Sequence, residues 1–392
     1  NVSGGLKQGD TNAGTFNFGV DLNLQKIVGL EGGQIHVLFS QSYGRSLQHY
    51  IGNTIKSQGW YYPNEHMQLA QLAYDQNFFG DKLNFYGGRM NATLPFARPT
   101  YGCSFVSGSQ CPFYLPLTTG GFPGSPYVTW GGRLRYTPTQ QIYVQTGAFQ
   151  IDPTRRNEQG FDFGIQGSTG YVLPVEVGYG TDFSSDAYPR HFKLGGWYNS
   201  APYTDPHLNT RGLSRVLSPG APMAYPGGRG GLYGLADQVV YRPDGLASQR
   251  NVAVFASTSE PLDAHEMLQS QSTAGFLYTG PFKSRSHDSF GVQLTYLVFS
   301  GAETAYMNDL LTKAKSLSRV NRNETSVEVN YGYCIKRGVI LYPNAEYIIN
   351  PDTLGNTAAK TAPKNAAVIG LRLSINLGDI LGLPGAFPSS RR

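Results

Sequence analysis

Thr15-Phe16-Asn17-Phe18-Gly19-Val20-Asp21-Leu22-Asn23-Leu24 sets Phe16, Phe18, Val20, Leu22 and Leu24 on one side of an extended chain and Asn17, Gly19, Asp21 and Asn23 on the other. Strand side chains alternate between two faces, so this period of two describes a strand with one apolar and one polar face. The same pattern closes the chain, where Ile369, Leu371, Leu373, Ile375 and Leu377 alternate with Gly370, Arg372, Ser374 and Asn376. Between these ends, Tyr171, Leu173, Val175, Val177 and Tyr179 alternate with Glu176 and Gly178. Val292, Leu294, Tyr296 and Val298 do so with Gln293 and Thr295, and Val327, Val329, Tyr331 and Tyr333 with Glu328 and Asn330.

About sixteen such segments follow from this reading, near 2–9, 14–24, 31–43, 66–77, 81–91, 127–137, 140–151, 168–180, 191–200, 229–241, 250–259, 272–281, 288–300, 324–334, 338–350 and 365–377. Each has roughly the 9 to 11 residues that cross a bilayer at a tilt. Their connections alternate in length. Phe78 to Gly80, Pro138 to Thr139, Phe282 to His287 and Ile335 to Arg337 are short, whereas Gly44 to Glu65, Ala92 to Pro126, Ala201 to Gly228 and Gly301 to Asn323 are long. Short turns at one end and long loops at the other predict an all-β, transmembrane antiparallel β-barrel with its long loops external. A soluble sandwich has no reason to alternate in this way. Tyr43, Trp130, Tyr136, Tyr179, Tyr198, Tyr241 and Tyr347, at strand ends, are expected to form two interfacial girdles.

Composition agrees. Of 392 residues only 15% are charged, against roughly 25% in an average soluble domain, and there are 49 Gly, 26 Tyr and 21 Phe at a mean hydropathy of −0.30. No run of about 20 apolar residues exists for a membrane helix. The 40% apolar fraction argues against disorder. A net charge of +5 spread along the chain lacks the basic clusters that would neutralise nucleic-acid phosphates. Cys103 and Cys111, eight positions apart in a Gly/Ser/Pro-rich stretch, fit a small disulfide loop in an oxidising compartment, with two unpaired thiols as the alternative. Cys334 reads as a small buried or lipid-facing side chain. No secretory leader opens at Asn1, so the numbering reads as that of a processed or truncated form.

The order of segments resembles the carbohydrate-selective porin family of OprB type. The stretch Val20-Asp21-Leu22-Asn23-Leu24-Gln25-Lys26-Ile27-Val28-Gly29-Leu30-Glu31-Gly32-Gly33-Gln34-Ile35-His36 carries the resemblance. So do Phe79 to Arg89, Pro126 to Tyr136, Phe192 to Asn199 and Leu235 to Pro243. It implies a monomeric or homotrimeric sixteen-stranded barrel in a Gram-negative outer membrane, set among lipid and lipopolysaccharide and passing small neutral sugars such as glucose by diffusion. The expected organisation is one barrel domain over 1–377, with an inward loop near 92–126, and a C-terminal tail over 378–392 suited to the periplasm or to a partner contact.

A sixteen-stranded lumen is too wide to discriminate sugars, so inward loops must form a constriction. The Pro- and aromatic-rich segment Ala92 to Pro126 is the candidate. Sugar hydroxyls call for hydrogen-bonding forks beside aromatic planes, and guanidinium supplies five donors in fixed geometry. Parity places Arg133, Arg135, Glu176, Lys193 and Arg372 on the lumen face, with Trp197 beside Lys193 as a stacking plate or a rim residue. Arg89 and Arg98 flank the start of the constriction, although a bulge at Gly87-Gly88 would re-aim Arg89.

Neither cofactor nor metal is expected, since His36, His191 and the other histidines lack ligand spacing. An enzyme is disfavoured, because G-x-S-x-G is missing and His265-Glu266-Met267-Leu268-Gln269 breaks H-E-x-x-H. A general or anion-selective porin and a docking platform using the loop Ala201 to Gly228 are the remaining alternatives.

Overall fold

A computed structural model gives the structure of residues 1–61, 66–154 and 159–383. Its strands are β1 (Ser3–Gly5), β2 (Ala13–Asn23), β3 (Gly33–Gly44), β4 (Gln68–Phe78), β5 (Leu83–Met90), β6 (Thr129–Tyr136), β7 (Ile142–Ile151), β8 (Gly170–Gly180) and β9 (Arg190–Asn199). They continue with β10 (Tyr203–Asn209), β11 (Pro222–Tyr225), β12 (Arg229–Tyr241), β13 (Asn251–Pro261), β14 (Leu268–Thr279), β15 (Ser289–Phe299), β16 (Asn323–Lys336), β17 (Val339–Ile349) and β18 (Lys364–Ile375). Sixteen form one antiparallel sheet in the order β1-β18-β17-β16-β15-β14-β13-β12-β9-β8-β7-β6-β5-β4-β3-β2, and β10 and β11 pair separately. The first and last strands meet, with Ser3 opposite Ala367 and Gly5 opposite Lys364.

The polarity of the wall follows the alternation. Tyr171, Leu173, Val175, Val177 and Tyr179 are exposed on the outside, while Val172 and Glu176 are buried within. Tyr43, Trp130, Tyr198 and Tyr347 lie outward at the loop end, and Tyr136, Tyr179 and Tyr241 at the turn end, which gives two aromatic girdles. Turns are tight where a residue tolerates the left-handed region, as Gly338 does at φ +78° between β16 and β17.

Three segments depart from the sequence expectation. The first strand is Ser3–Gly5 rather than 2–9, because Leu6 and Lys7 donate their backbone N–H to Tyr50 O (2.9 and 3.1 Å) instead of continuing along β18. The loop after β3 turns into the lumen, where α2 (Gln48–Ile51) buries Ile51 against Ile348, Ala366 and Val368, whereas the short α1 (Leu24–Val28) lies in the turn between β2 and β3. The loop after β7 drapes over the outer wall: Leu69 N–H donates to Gln159 O (2.9 Å) and Phe161 packs on Phe39. The short α5 (Leu377–Leu381) follows β18, capped by Asn376, and Pro384, Pro388, Arg391 and Arg392 of the expected tail lie outside the described residues.

The hydrophobic core lies inside the barrel. The segment 91–128 with α3 (Tyr114–Thr118) brings Phe96, Phe113, Leu115 and Phe122 against Phe149, Trp197, Leu268 and Phe299 of the wall, beside Met307 and Leu311 of α4 (Gly301–Lys313).

Candidate functional site

The inward segment is fixed by wall side chains that receive its backbone. On β16, Glu328 is 1% exposed and accepts from Val106 N–H (2.8 Å), Ser107 N–H (2.9 Å), Asn330 Nδ2 (3.0 Å) and Gln293 Nε2 (3.2 Å). On β14, Gln271 accepts from Leu115 N–H (2.8 Å) and donates to Ser109 O (2.8 Å). Buried loop backbone needs such partners, since an orphaned group costs about 1–3 kcal/mol. Cys103 and Cys111 are joined by a disulfide within this segment, at a Cα–Cα distance of 5.0 Å.

Glu176 belongs to the same system. It is 1% exposed and accepts from Ala97 N–H (3.0 Å), Tyr143 OH (2.6 Å), Gln145 Nε2 (2.8 Å) and Tyr233 OH (2.9 Å). Arg372 donates to Phe105 O (2.9 Å) with its guanidinium 4.1 Å from the Tyr342 ring centre. Trp197 lies flat across β12, where a Cβ on Gly231 would fall 2.1 Å from its ring, and it is stacked by Tyr233 and met edge-on by Phe122. At 6% exposure it offers little surface to a solute. Glu176, Arg372 and Trp197 are lumen-side residues occupied by the loop, which parity alone does not reveal.

Arg89 is a correction. It stands opposite Leu72 and Trp130 on the outer face, 0% exposed, with its guanidinium 5.9 Å from the Trp130 ring centre and 5.7 Å from Phe163 of the draped loop. The register from Leu83 to Met90 runs unbroken, so Arg89 shares the face of Phe85, four positions earlier and exposed to lipid. Counting from Phe85 would have found this in the sequence.

The remaining cations gather on one side of the lumen. Arg135 lies 3.8 Å from the Tyr143 ring centre and Arg133 5.7 Å from that of Tyr86, donating also to Asn84 Oδ1. A guanidinium held over an aromatic ring keeps N–H donors at its edge that a solute can meet. Lys193 donates to Arg98 O (2.8 Å), and Arg98 is exposed to the lumen beyond it. Arg133, Arg135, Lys193 and Arg98 thus form a continuous arc, each acting electrostatically on the next.

Sequence reasoning missed the acidic side chains that adjoin this arc on the same wall. A cavity of about 190 Å³ below the loop is lined by Asp21, His36, Gln71, Asp75, Tyr86, Leu94, Pro95 and Arg133, among others. His36 Nδ1–H donates to Asp21 Oδ1 (2.7 Å), and its Nε2 lies 3.7 Å from Asp75 Oδ2. The signal was present, since Asp21 and His36 sit directly opposite each other on the polar faces of β2 and β3.

Comparison with known proteins agrees with this architecture. Porin B of Pseudomonas aeruginosa is 24% identical over 402 residues, covering 95% of this chain and 84% of the relative. The high-pH structure of Pseudomonas putida OprB superposes with a TM-score of 0.85 at 22% identity, over 96% of this chain and 90% of that one. The low-pH structure of the same protein gives 0.55 at 18% identity, over 93% and 85%. The model of the carbohydrate-selective porin, OprB family, matches residues 7–377, and the chain belongs to that family.

Proposed function

We propose that small neutral sugars such as glucose cross this outer-membrane channel along the open side of the lumen, in contact with Arg98, Arg133, Arg135 and Lys193. The arc of stacked guanidiniums beside Tyr86 and Tyr143 carries the reading. Each fork can replace water around a hydroxyl, and the tyrosine faces offer planes for the apolar side of a sugar ring. Conduction requires a site weak enough to leave, so affinity belongs near the millimolar range, about −4 kcal/mol. Glu176, Arg372 and Trp197 serve the passage indirectly, by holding the constriction loop. Liposome swelling with neutral sugars of equal size tests the reading: chemical selection gives different rates for equal sizes, whereas identical rates would leave size sieving alone.

The four cations of the arc favour a second reading, an anion-selective channel, which a strongly anion-biased reversal potential in planar bilayers would establish. The barrel over 1–377 forms the working unit, with 378–392 as a periplasmic tail. Its apolar belt suits outer-membrane lipid, with lipopolysaccharide around the loop end. Cross-linking in the membrane separates a monomer from a homotrimer.

A further inference from the structure

We infer that Asp21 and Asp75, with His36 between them, form an acidic flank beside Arg133 that makes the passage prefer neutral sugars over sugar acids of the same size. The inference rests on the sugar-passage reading above. An arc of four cations by itself would attract carboxylated sugars more strongly than neutral ones. Glu176 acts electrostatically on Arg135 and Lys193 but offers no oxygen to a solute, because Ala97, Gln145, Tyr143 and Tyr233 occupy its oxygens. The carboxylates lining the cavity with Arg133 are Asp21 and Asp75, whose side chains remain 30% and 29% exposed. Across the lumen, Asp237 on β12 is buried and held by His191 Nδ1–H at 2.7 Å.

The cavity therefore presents acceptors and donors together. A neutral sugar can donate hydroxyl protons to Asp21 or Asp75 while accepting from Arg133, with Leu94 and Pro95 of the loop against its apolar face. A sugar acid gains attraction at Arg133 but meets two negative charges in the same small cavity, which offsets the gain. His36 keeps the pair in place: it donates to Asp21, faces Asp75, and meets the edge of Tyr86 at 5.8 Å between ring centres.

The test uses the full chain in liposomes and planar bilayers, with glucose and gluconate as probes. Asp21→Asn combined with Asp75→Asn keeps the hydrogen-bonding shape and removes both charges. The expected result is a gluconate-to-glucose permeability ratio raised about fivefold, and an anion preference raised in KCl, as two charges at several ångströms across water predict. Arg133→Gln, which leaves both carboxylates, is expected to lower the same ratio and keeps the proposal testable should the double variant fail to assemble. A ratio unchanged in the double variant, or unchanged in Arg133→Gln, overturns the charge balance. Glucose passing no faster than another neutral sugar of equal size overturns the sugar-selective reading instead, and the gluconate ratio then judges the acidic flank by itself.

Discussion

The wall from β13 to β18 and the wall from β2 to β9 carry the same kinds of inward polar side chain, yet they serve opposite ends. Along the first, Gln271, Glu328 and Arg372 face loop backbone and each hydrogen-bonds to it. Along the second, Asp21, Asp75, Arg133 and Arg135 face water, with aromatic rings steadying the guanidiniums. Glu176 is the exception that explains the rule: it stands on the open wall at the point where Ala97 of the loop reaches across. A polar residue in this lumen is structural or solute-facing according to what chain lies opposite it, whatever its chemistry.

The largest effect that could break this comparison comes from Glu328→Ala. It leaves the Val106 and Ser107 N–H groups without their acceptor, at about 1–3 kcal/mol for each, while the Asn330 and Gln293 amides keep Ser104 O and Ser109 Oγ. The loop is expected to leave the wall, with a clear rise in single-channel conductance and loss of discrimination among equal-sized sugars. Unchanged conductance would mean that the remaining contacts suffice and that Glu328 is no more than one of many holds.

On the open wall the effect is milder and chemical. Replacing Arg133 and Arg135 together by Ala is expected to widen the pore and weaken glucose block of ion current. Each lost donor to a neutral hydroxyl costs about 0.5–1.5 kcal/mol, a factor of roughly 2 to 13 in apparent affinity. If block and conductance stay as they were, the arginines are ordinary wall residues and the two walls do not differ in function.

The difference between the walls also marks what could be read from the sequence. Alternation with period two fixes which face a residue takes, so the lumen side of Arg133, Arg135, Glu176, Lys193 and Arg372 was legible, as were both girdles. Alternation says nothing about which loop lies opposite. Trp197 lies flat because Gly231 on the next strand leaves room for its ring, a pairing that depends on register across the β9–β12 crossover and its 29 intervening residues. The inward turn of α2 and the outward drape of the loop after β7 are tertiary choices made by Ile51 and Phe161 finding partners far along the chain. Arg89 was misplaced for a local reason: alternation is ambiguous in the sequence at Gly87 and Gly88, where the ladder runs straight and parity from Phe85 holds.

A smaller effect is expected from the disulfide. Cys103 and Cys111 close a short loop whose neighbours Phe105, Val106, Ser107 and Ser109 are already bonded to the packed wall. Replacing both cysteines by Ser should therefore leave conductance and sugar block nearly unchanged. Mass spectrometry of the unreduced protein after alkylation should find Cys334 modified and the peptide containing Cys103 and Cys111 unmodified. Alkylation of either would show free thiols there.

The smallest effect concerns the layer above both walls, where the loops are joined by titratable side chains instead of backbone. Tyr203, on β10, donates to Asp263 (2.5 Å), His265 contacts Asp205 (3.1 Å), and Arg229 donates to both oxygens of Glu266 (3.0 and 3.1 Å). Burial pushes the Glu266 carboxyl up to about 7 against the opposing pull of Arg229, with Asp263 adding to the rise. Glu303, in the first turn of α4, is likewise pushed up to about 7 by burial, with Arg215 opposing and Asp352 and Asp205 reinforcing. Because the packed loops hold these protons more tightly than released loops would, their contribution is fully present below about pH 4.5 and is lost as pH rises through about 7. Each group is worth at most about 1–3 kcal/mol of local loop stability, since roughly 1.4 kcal/mol corresponds to one pKa unit. Hydrogen exchange of residues 200–228 and 301–313, corrected for its intrinsic pH dependence, should be faster at pH 8 than at pH 5. Glu303→Gln should flatten that difference, whereas exchange at Leu115, whose N–H is held by the Gln271 amide, should not respond. Equal protection of the outer loops at both pH values would remove the contrast between this outer layer and the segment held within the lumen.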